Sequence, residues 1–229
     1  MRNAILITGF NGEIGRQTLH SLYKRNIPII ALDINDSDIK YDNVMFIKDS
    51  ILNQDVIKSI FDDFNIIEIY HFAALLSQSA NDNPELANKV NEEGSKVIIN
   101  TAMRYAQTNK SFIKIFFPSS IAVYGPRKLK NAKELDIMKP QTIYGCNKLA
   151  IEQYGTNKHE ESLKLGFGID FRCLRFPGII SPYTIPFGGT TDFAPQMLHA
   201  ACNNESFICK VNPTTILPFL GIDNAVKAI

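Results

Sequence analysis

A tyrosine and a lysine four residues apart could transfer a proton. Tyr144 and Lys148 lie in TIYGCNKLAIEQY, whose pattern predicts a helix from Thr142 to about Leu165. Side chains at this spacing share one helix face, although the YxxxK pattern also arises by chance. A phenol with a pKa of about 10 is a poor base at neutral pH, but a nearby ammonium favours the phenolate and lowers that pKa. The pair therefore predicts acid–base chemistry at Tyr144, with Lys148 as its electrostatic partner.

Two serines end a strand predicted over FIKIFFPSS. Parallel sheets bind ligands at the carboxyl ends of their strands, so a hydroxyl there can hydrogen-bond a substrate oxygen that develops charge. Ser120, four residues before Tyr124, is the predicted third catalytic residue. Capping of the strand end is the alternative role, and it suits Ser119 better than Ser120.

A glycine-rich turn follows the first predicted strand, in ILITGFNGEIG. Gly9, Gly12 and Gly15 permit a tight turn and a close backbone approach to a pyrophosphate, which the following helix N-terminus would favour electrostatically. The spacing is GxxGxxG rather than GxGxxG, and a generic glycine-rich turn remains an alternative.

The second predicted strand ends on an acidic residue, Asp33, about twenty residues after the glycines, where a carboxylate can accept hydrogen bonds from a ribose diol. A carboxylate there repels a 2′-phosphate and favours NAD over NADP; a solvated strand-end residue is the alternative. Asp49 and Ser50 end the third strand near the expected adenine, and His71 is predicted to be a packed strand residue. The predicted cofactor-binding residues are Gly9, Phe10, Asn11, Gly12, Glu13, Ile14, Gly15, Asp33, Ile34, Asp49, Ser50, Ile51, Phe72, Ala73, Ala74, Tyr144, Lys148 and Pro177.

Short apolar runs alternate with longer amphipathic stretches through most of the 229 residues. This alternation predicts an α/β fold, a Rossmann-type doubly wound parallel sheet. The predicted strands are NAILIT, IPIIALD, VMFIK, IIEIYHFAA, FIKIFFPSS and IDFRCLRFP, and the further predicted helices run over 13–24, 55–64 and 84–106.

Charge and cysteine content exclude several classes of protein. Lys plus Arg number 24 against 23 for Asp plus Glu, so no strong field indicates nucleic acid or membrane as a partner. The four scattered cysteines argue against a zinc site or a disulfide framework and favour the cytoplasm. The first strand begins almost at once, which leaves no room for a targeting peptide.

The sequence changes character after residue 176. Residues 177–193 are dense in Gly, Pro and Thr and predict a long functional loop. The chain ends on GIDNAVKAI, a predicted helix with Asp223 as N-cap, as if the segment were incomplete. We therefore predict a NAD-binding domain over 1–176 and a small substrate-binding portion over 177–229, interleaved with it and apparently truncated.

The motifs TGFNGEIG, HFAA, PSSIAVYG and YGCNK occur in the order and approximate spacing of the extended short-chain dehydrogenase/reductase superfamily, which the chain resembles over essentially its whole length. The stretches LRFPGIIS and GGTTD are similar to those of the L-threonine 3-dehydrogenases of the UDP-galactose-epimerase-like type. This resemblance implies NAD-dependent oxidation of L-threonine to 2-amino-3-oxobutanoate in a homodimer, with Tyr144 as acid/base, Lys148 as its partner and ribose ligand, and Ser120 orienting the substrate.

Neutral hydroxyls near the expected pocket suit a small zwitterion better than a diphosphate. Ser77, Ser120 and Thr190 or Thr191, together with Tyr144, are the predicted L-threonine contacts; Ser77 and Thr190 could instead cap helices. A sugar-nucleotide epimerase or dehydratase is the alternative enzyme. It would predict Arg or Lys residues that contact the diphosphate from the C-terminal portion, which this sequence largely lacks. A non-catalytic dinucleotide sensor is less favoured, because the acid–base pair is intact.

Overall fold

A six-stranded parallel sheet forms the centre of the protein. The computed structural model describes residues 1–126, 132–134, 136–184 and 188–229. The strands are β1 (Asn3–Thr8), β2 (Ile29–Asp33), β3 (Val44–Lys48), β4 (Asn65–His71), β5 (Phe112–Ser120) and β6 (Gly168–Phe176). Their order is β3-β2-β1-β4-β5-β6, with every pairing parallel. This order reverses between β1 and β4, and it confirms the predicted doubly wound α/β fold.

Helices cover both faces of this sheet. The helices are α1 (Glu13–Leu22), α2 (Gln54–Asp63), α3 (Ser77–Asp82), α4 (Pro84–Ala87), α5 (Ser95–Asn109), α6 (Ile143–Leu165), α7 (Phe193–Cys202) and α8 (Ile222–Ala228). Alternate residues of β1 face opposite sides: Ile5 and Ile7 pack with Leu19 of α1, whereas Leu6 packs in the cluster that contains Ile98 of α5. Two buried faces explain why the strands are continuously apolar. Within the described ranges, no helix is long and apolar enough to cross a membrane.

The helix predicted over 84–106 is interrupted. A π-helical segment, Asn88–Gly94, separates α4 from α5. Its buried Asn91 accepts a hydrogen bond from the backbone N–H of Leu75 (2.7 Å) and donates one to the carbonyl of the same residue (3.0 Å). The Asn91 side chain thus fixes the segment that follows β4. The helical periodicity of the sequence does not predict this contact or the π-helical segment that carries it.

Secondary structure after residue 176 differs from the prediction. Within the predicted loop, β7 (Gly178–Ile180) pairs in parallel with β8 (Phe219–Gly221); residues 185–187 lie outside the described residues. Gly221, not Asp223, is the N-cap of α8, and β4 ends at His71 rather than Ala74. Strands of three residues are too short for a periodic signal, which is why the prediction missed them. The division into 1–176 and 177–229 stays a prediction.

Candidate active site

The glycine turn joins β1 to α1 with almost no free space around its backbone. Gly9 has a φ of +66°, and a Cβ placed there would lie 2.4 Å from the backbone nitrogen of Ala73. A Cβ on Gly15 would lie 2.5 Å from the carbonyl oxygen of Gly9. Gly12 is the N-cap of α1, which has no side-chain cap, so the first N–H groups of the helix remain available to an anion.

Asp33 ties the end of β2 to this turn. Its carboxylate accepts hydrogen bonds from the backbone N–H groups of Asn11 and Asn35, both at 3.0 Å. The chain that follows β3 is also joined to the end of β2, because the N–H of Asp49 donates to the backbone carbonyl of Asp33 at 3.0 Å. The acidic residue therefore lies at the rim of the glycine turn, as the sequence predicts for a ribose ligand.

A cavity of about 1240 Å³ opens along the carboxyl ends of the sheet strands. This is somewhat larger than the roughly 300–1,000 Å³ of most ligand pockets. The predicted residues that line it are Gly9, Asn11, Gly12, Glu13, Ile14, Gly15, Asp33, Ile34, Asp49, Ser50, Ile51, Phe72, Ala73, Ala74, Ser77, Ser120, Tyr144, Lys148, Pro177, Thr190 and Thr191.

Phe10 does not line the cavity. Its side chain is 1% exposed and packs edge-on against Phe46, with ring centroids 5.4 Å apart. Because this ring belongs to the core, only the backbone of Phe10 is left to contact a cofactor, and its assignment as a cofactor-binding residue stays a prediction.

The start of α6 brings Tyr144 to Ser120. The Thr142 hydroxyl caps α6 by accepting from the N–H of Gly145 (3.0 Å), and a Cβ on Gly145 would lie 2.8 Å from the carbonyl oxygen of Ala122. This close approach packs the helix start against the turn after β5. The Ser120 hydroxyl caps the turn after β5 by accepting from the N–H of Ala122 (3.2 Å), a role that the sequence predicted for Ser119 instead. It also lies close enough to the Tyr144 phenol to favour the phenolate. Desolvation nevertheless raises the pKa of Tyr144 to about 12, and the nearby Ser120 hydroxyl opposes this only in part.

Lys148 lies one helical turn farther along α6, buried below the phenol. Its ammonium donates to the carbonyl of Pro118 (2.7 Å) and lies 4.4 Å from the ring centroid of Phe117 and 5.4 Å from that of Tyr144. Burial lowers the pKa of Lys148 to about 7, and the charge of Glu152 opposes that shift. The pKa of Tyr144 thus moves in the direction opposite to the sequence prediction, because the cost of burying its phenolate dominates.

His71 is a packed strand histidine, as predicted. Its ring nitrogens contact the hydroxyls of Thr8 (Nδ1, 2.6 Å) and Ser95 (Nε2, 2.8 Å). Burial, together with the charge of Lys148, lowers the pKa of His71 to about 3, so the ring is neutral. It carries no free polar atom toward the cavity.

The predicted substrate hydroxyls lie on neighbouring elements. Ser77 is the first residue of α3, and the N–H of Gln78 donates to the carbonyl of Gly188 (2.8 Å), which joins α3 to the loop bearing Thr190 and Thr191. Asp192, not Thr190, is the N-cap of α7, and its carboxylate accepts from the N–H of Gly189 (2.7 Å). Thr190 is therefore not the N-cap of α7. Ser77 is not the N-cap of α3 either, because Leu76 occupies that position.

The sequence reasoning missed several apolar cavity residues. Leu76, Leu86, Val90 and Leu217 line the same space from α3, α4, the π-helical segment and the chain before β8. Isolated leucines and valines on short elements carry no signal that separates a pocket wall from the core, so only the packed structure reveals them.

Glu13, at the start of α1, is half-buried, with its carboxylate near Ser181 in the segment after β7. Both carboxylate oxygens are shielded from solvent, and neither makes a hydrogen bond of normal geometry among the described residues. Desolvation raises the Glu13 carboxyl pKa above its ordinary value of 4.5, while the nearby Ser181 hydroxyl and the charges of His199 and Arg16 oppose the shift.

We expect Glu13→Gln to raise the thermal midpoint of unfolding at neutral pH. A carboxyl whose pKa is higher in the folded state loses stability as pH rises from its ordinary value through the raised one, and the amide does not. Calorimetry between pH 4 and pH 8 should show the gain shrinking toward the acid end. Glu85→Gln is the control, because its exposed carboxylate has a lowered pKa through Lys89 and its loss should not stabilise. Equal midpoints for Glu13→Gln and the native chain at neutral pH would contradict the burial argument.

The sheet order and the glycine turn define a Rossmann-type dinucleotide-binding protein, with Ser120, Tyr144 and Lys148 beside the same cavity. Residues 5–229 match the NAD dependent epimerase/dehydratase family. The chain belongs to this family, which confirms the resemblance drawn from the motifs and NAD as the expected cofactor class.

Individual relatives include both dehydrogenases and epimerases. The chain is 35% identical over 228 residues to "L-threonine 3-dehydrogenase, mitochondrial" of Bos taurus, covering 98% of this chain and 58% of that protein. The crystal structure of L-threonine dehydrogenase from Phytophthora infestans superposes with a TM-score of 0.86 at 30% identity, covering 98% of this chain and 70% of that one. UDP-glucose 4-epimerase of Thermotoga maritima shares the fold, with a TM-score of 0.85 at 23% identity and coverage of 98% and 71%.

Proposed function

We propose that this chain carries the catalytic site of a NAD-dependent dehydrogenase that oxidises the 3-hydroxyl of L-threonine to 2-amino-3-oxobutanoate. The observation that carries the proposal is that Ser120, Tyr144 and Lys148 line the same cavity as the glycine turn. The proposed proton-transfer group and the glycine turn thus face one cavity.

The residues present fit NAD. Gly9 and Gly15 leave no room for side chains and bring the backbone to the cavity, where the first turn of α1 suits a pyrophosphate. Asp33 at the end of β2 would hold the adenosine ribose, and Lys148 would reach the nicotinamide ribose. When bound, NAD supplies the acceptor for the hydride that leaves the substrate carbon.

Proton removal falls to Tyr144. The phenolate form takes the proton of the substrate hydroxyl while Ser120 hydrogen-bonds the same oxygen. A phenol with a pKa of about 12 is seldom ionised at neutral pH. The positive charge of Lys148 favours the phenolate, so the rate should depend on the charge state of this amine.

The described lining of the cavity suits a small zwitterion. Among its described residues, Lys148 is the only basic one, while Ser77, Thr190 and Thr191 supply neutral hydroxyls. A diphosphate would call for additional Arg or Lys contacts. These residues therefore support L-threonine as the substrate, with an epimerase or dehydratase as the alternative.

The direct test is an assay of NADH formation with L-threonine, L-serine and UDP-galactose, each with NAD and with NADP. The proposal expects reduction of NAD that depends on L-threonine. Activity only with the sugar nucleotide, or cofactor reduction without L-threonine, would overturn the assignment of substrate. Tight NAD binding without turnover on any of the three would favour the non-catalytic sensor.

Cofactor preference should depend on Asp33. We expect Asp33→Ser to weaken NAD binding by about tenfold, the loss of a hydrogen bond to a charged group, and to remove the repulsion that disfavours a 2′-phosphate. Calorimetric titration with NAD and NADP measures both effects. Asp36→Ser is the matched control, since its exposed carboxylate pairs with Lys48 instead. An unchanged ratio of NAD to NADP affinity in Asp33→Ser would contradict the role given to this carboxylate.

Homodimer formation and a cytoplasmic location remain predictions. Sedimentation of the purified chain tests the first, and fluorescence imaging of a tagged chain in its own cells tests the second.

A further inference from the structure

A largely buried ion pair lies one helical turn along α6 from the proposed catalytic lysine. Arg175 of β6 and Glu152 of α6 have side chains only 17% and 6% exposed. The guanidinium donates from Nε to Oε1 (3.0 Å) and from Nη2 to Oε2 (2.7 Å). This two-point geometry fixes the carboxylate in one orientation.

The carboxylate is linked to Lys148 by two routes. Glu152 lies four residues after Lys148, so both side chains project from one face of α6. Consecutive residues of β5 also contact the two groups, because the Pro118 carbonyl accepts from Lys148 (2.7 Å) and the Ser119 hydroxyl donates to Glu152. Lys148 and Glu152 therefore both bond the end of β5, the strand that carries Ser120.

Arg175 extends the network toward the turn after Ser120. Its Nη1 donates to the Tyr124 hydroxyl (2.9 Å) and to the carbonyl of Glu134 (2.8 Å), and its guanidinium lies 5.0 Å from the centroid of the Tyr124 ring. Arg175 is not among the described residues that line the cavity. The guanidinium thus acts on the site only through Glu152 and the chain around it.

Stability alone does not explain such a pair. Desolvating two charges can cost as much as their attraction returns, and apolar replacements of buried pairs are often neutral or stabilising. The position of this charge, one turn from Lys148, suits a role in the site.

We propose that Glu152, oriented by Arg175, is a positioning residue that keeps Lys148 protonated and held beside Tyr144, a role that rests on the proposed dehydrogenase function. Tyr144 and Lys148 touch the reacting groups, whereas Glu152 acts through the lysine.

The other groups named around Lys148 carry no negative charge, and Glu152 supplies it. From β4, His71 is neutral; from β5, the ammonium meets the Pro118 carbonyl and the Phe117 ring; from α6, it meets the neutral Tyr144 phenol. In the described part of the chain, the charge that raises the Lys148 pKa against burial is that of Glu152.

The test is a direct titration of Lys148. In chain labelled with ¹³C at the lysine ε-carbons, the Lys148 signal is identified by its loss in Lys148→Arg, and its midpoint is followed by NMR. We expect Glu152→Gln to lower this midpoint by about one pH unit, the smaller end of the effect of a close opposite charge. Ser119→Ala removes a hydrogen bond to Glu152 but no charge, and should leave the midpoint unchanged.

A double variant separates charge from structure. Glu152→Gln leaves Arg175 unpaired and lowers stability, so Glu152→Gln/Arg175→Met removes both charges and is expected to recover the thermal midpoint. The proposal requires the Lys148 titration midpoint to stay low in this double variant. A native-like midpoint in either Glu152 variant, or an equal shift in Ser119→Ala, overturns it.

Turnover gives a second readout. In Glu152→Gln, the acid limb of the pH profile with L-threonine should move to higher pH, because a less protonated lysine stabilises the phenolate less. The titration needs neither cofactor nor substrate. A chain without L-threonine activity would therefore refute the proposed function, while the titration would still decide whether Glu152 sets the charge of Lys148.

Discussion

Tyr144→Phe should reduce L-threonine-dependent NADH formation by about 10²–10⁴-fold, the range for loss of a positioned acid–base group. The substitution removes one hydroxyl, which lies near that of Ser120, and keeps the ring whose centroid lies 5.4 Å from the Lys148 ammonium. Binding of NAD should persist, because the glycine turn and Asp33 are untouched. Initial rates and calorimetric NAD titration separate the two effects.

Tyr154→Phe is the matched control on the same helix. The Tyr154 hydroxyl donates to the side chain of Asn100 (2.6 Å), on the packing face between α6 and α5. Its loss should cost roughly 0.5–1.5 kcal/mol of stability, as for a single hydrogen bond, with turnover retained. Full turnover in Tyr144→Phe, or equal losses in both variants, would refute the mechanism.

Gly9→Ala should abolish NAD binding and destabilise the fold. At a φ of +66°, a Cβ would lie 2.4 Å from the nitrogen and 2.5 Å from the Cα of Ala73. The backbone conformation costs about 1–2 kcal/mol, and overpacking costs a further 1–3 kcal/mol or so. Relief of the clash must move the glycine turn or the segment after β4, and both line the cavity.

Gly166→Ala isolates the conformational part of that cost. Gly166 has a φ of +75°, a Cβ added there would meet no described atom within 4 Å, and the residue ends α6 far along the chain from the cavity. We expect this variant to lose about 1–2 kcal/mol and to bind NAD as the native chain does. Denaturant unfolding and NAD titration measure both. If Gly9→Ala behaved like Gly166→Ala, the close approach at Gly9 would not be a requirement of the site.

Local patterns were sufficient for the sheet and for the proposed acid–base pair. All five residues of β2 are buried, and the continuous apolar run IIAL predicts a strand that is covered on both faces. Tyr144 and Lys148 share a face because helix geometry requires it for any two residues at that spacing. The glycines predicted the turn between β1 and α1, because GxxGxxG after a strand is typical of a tight turn that other residues cannot adopt.

Contacts between distant residues decided the remainder. Asn91 of the π-helical segment bonds the backbone of Leu75, and the short strand β7 pairs with β8 about forty residues farther along the chain. The direction of the Tyr144 pKa shift depends on desolvation by the assembled fold, which no spacing encodes.

Helical and strand periodicities arise from bonds between near neighbours in the chain, so the sequence alone determined which segments form the sheet, the glycine turn and the Tyr144–Lys148 face. Burial and charge at a site come from groups that folding brings together from several elements. Only the tertiary structure could therefore decide that Lys148 is buried, that Glu13 is desolvated, and that Glu152 meets Arg175.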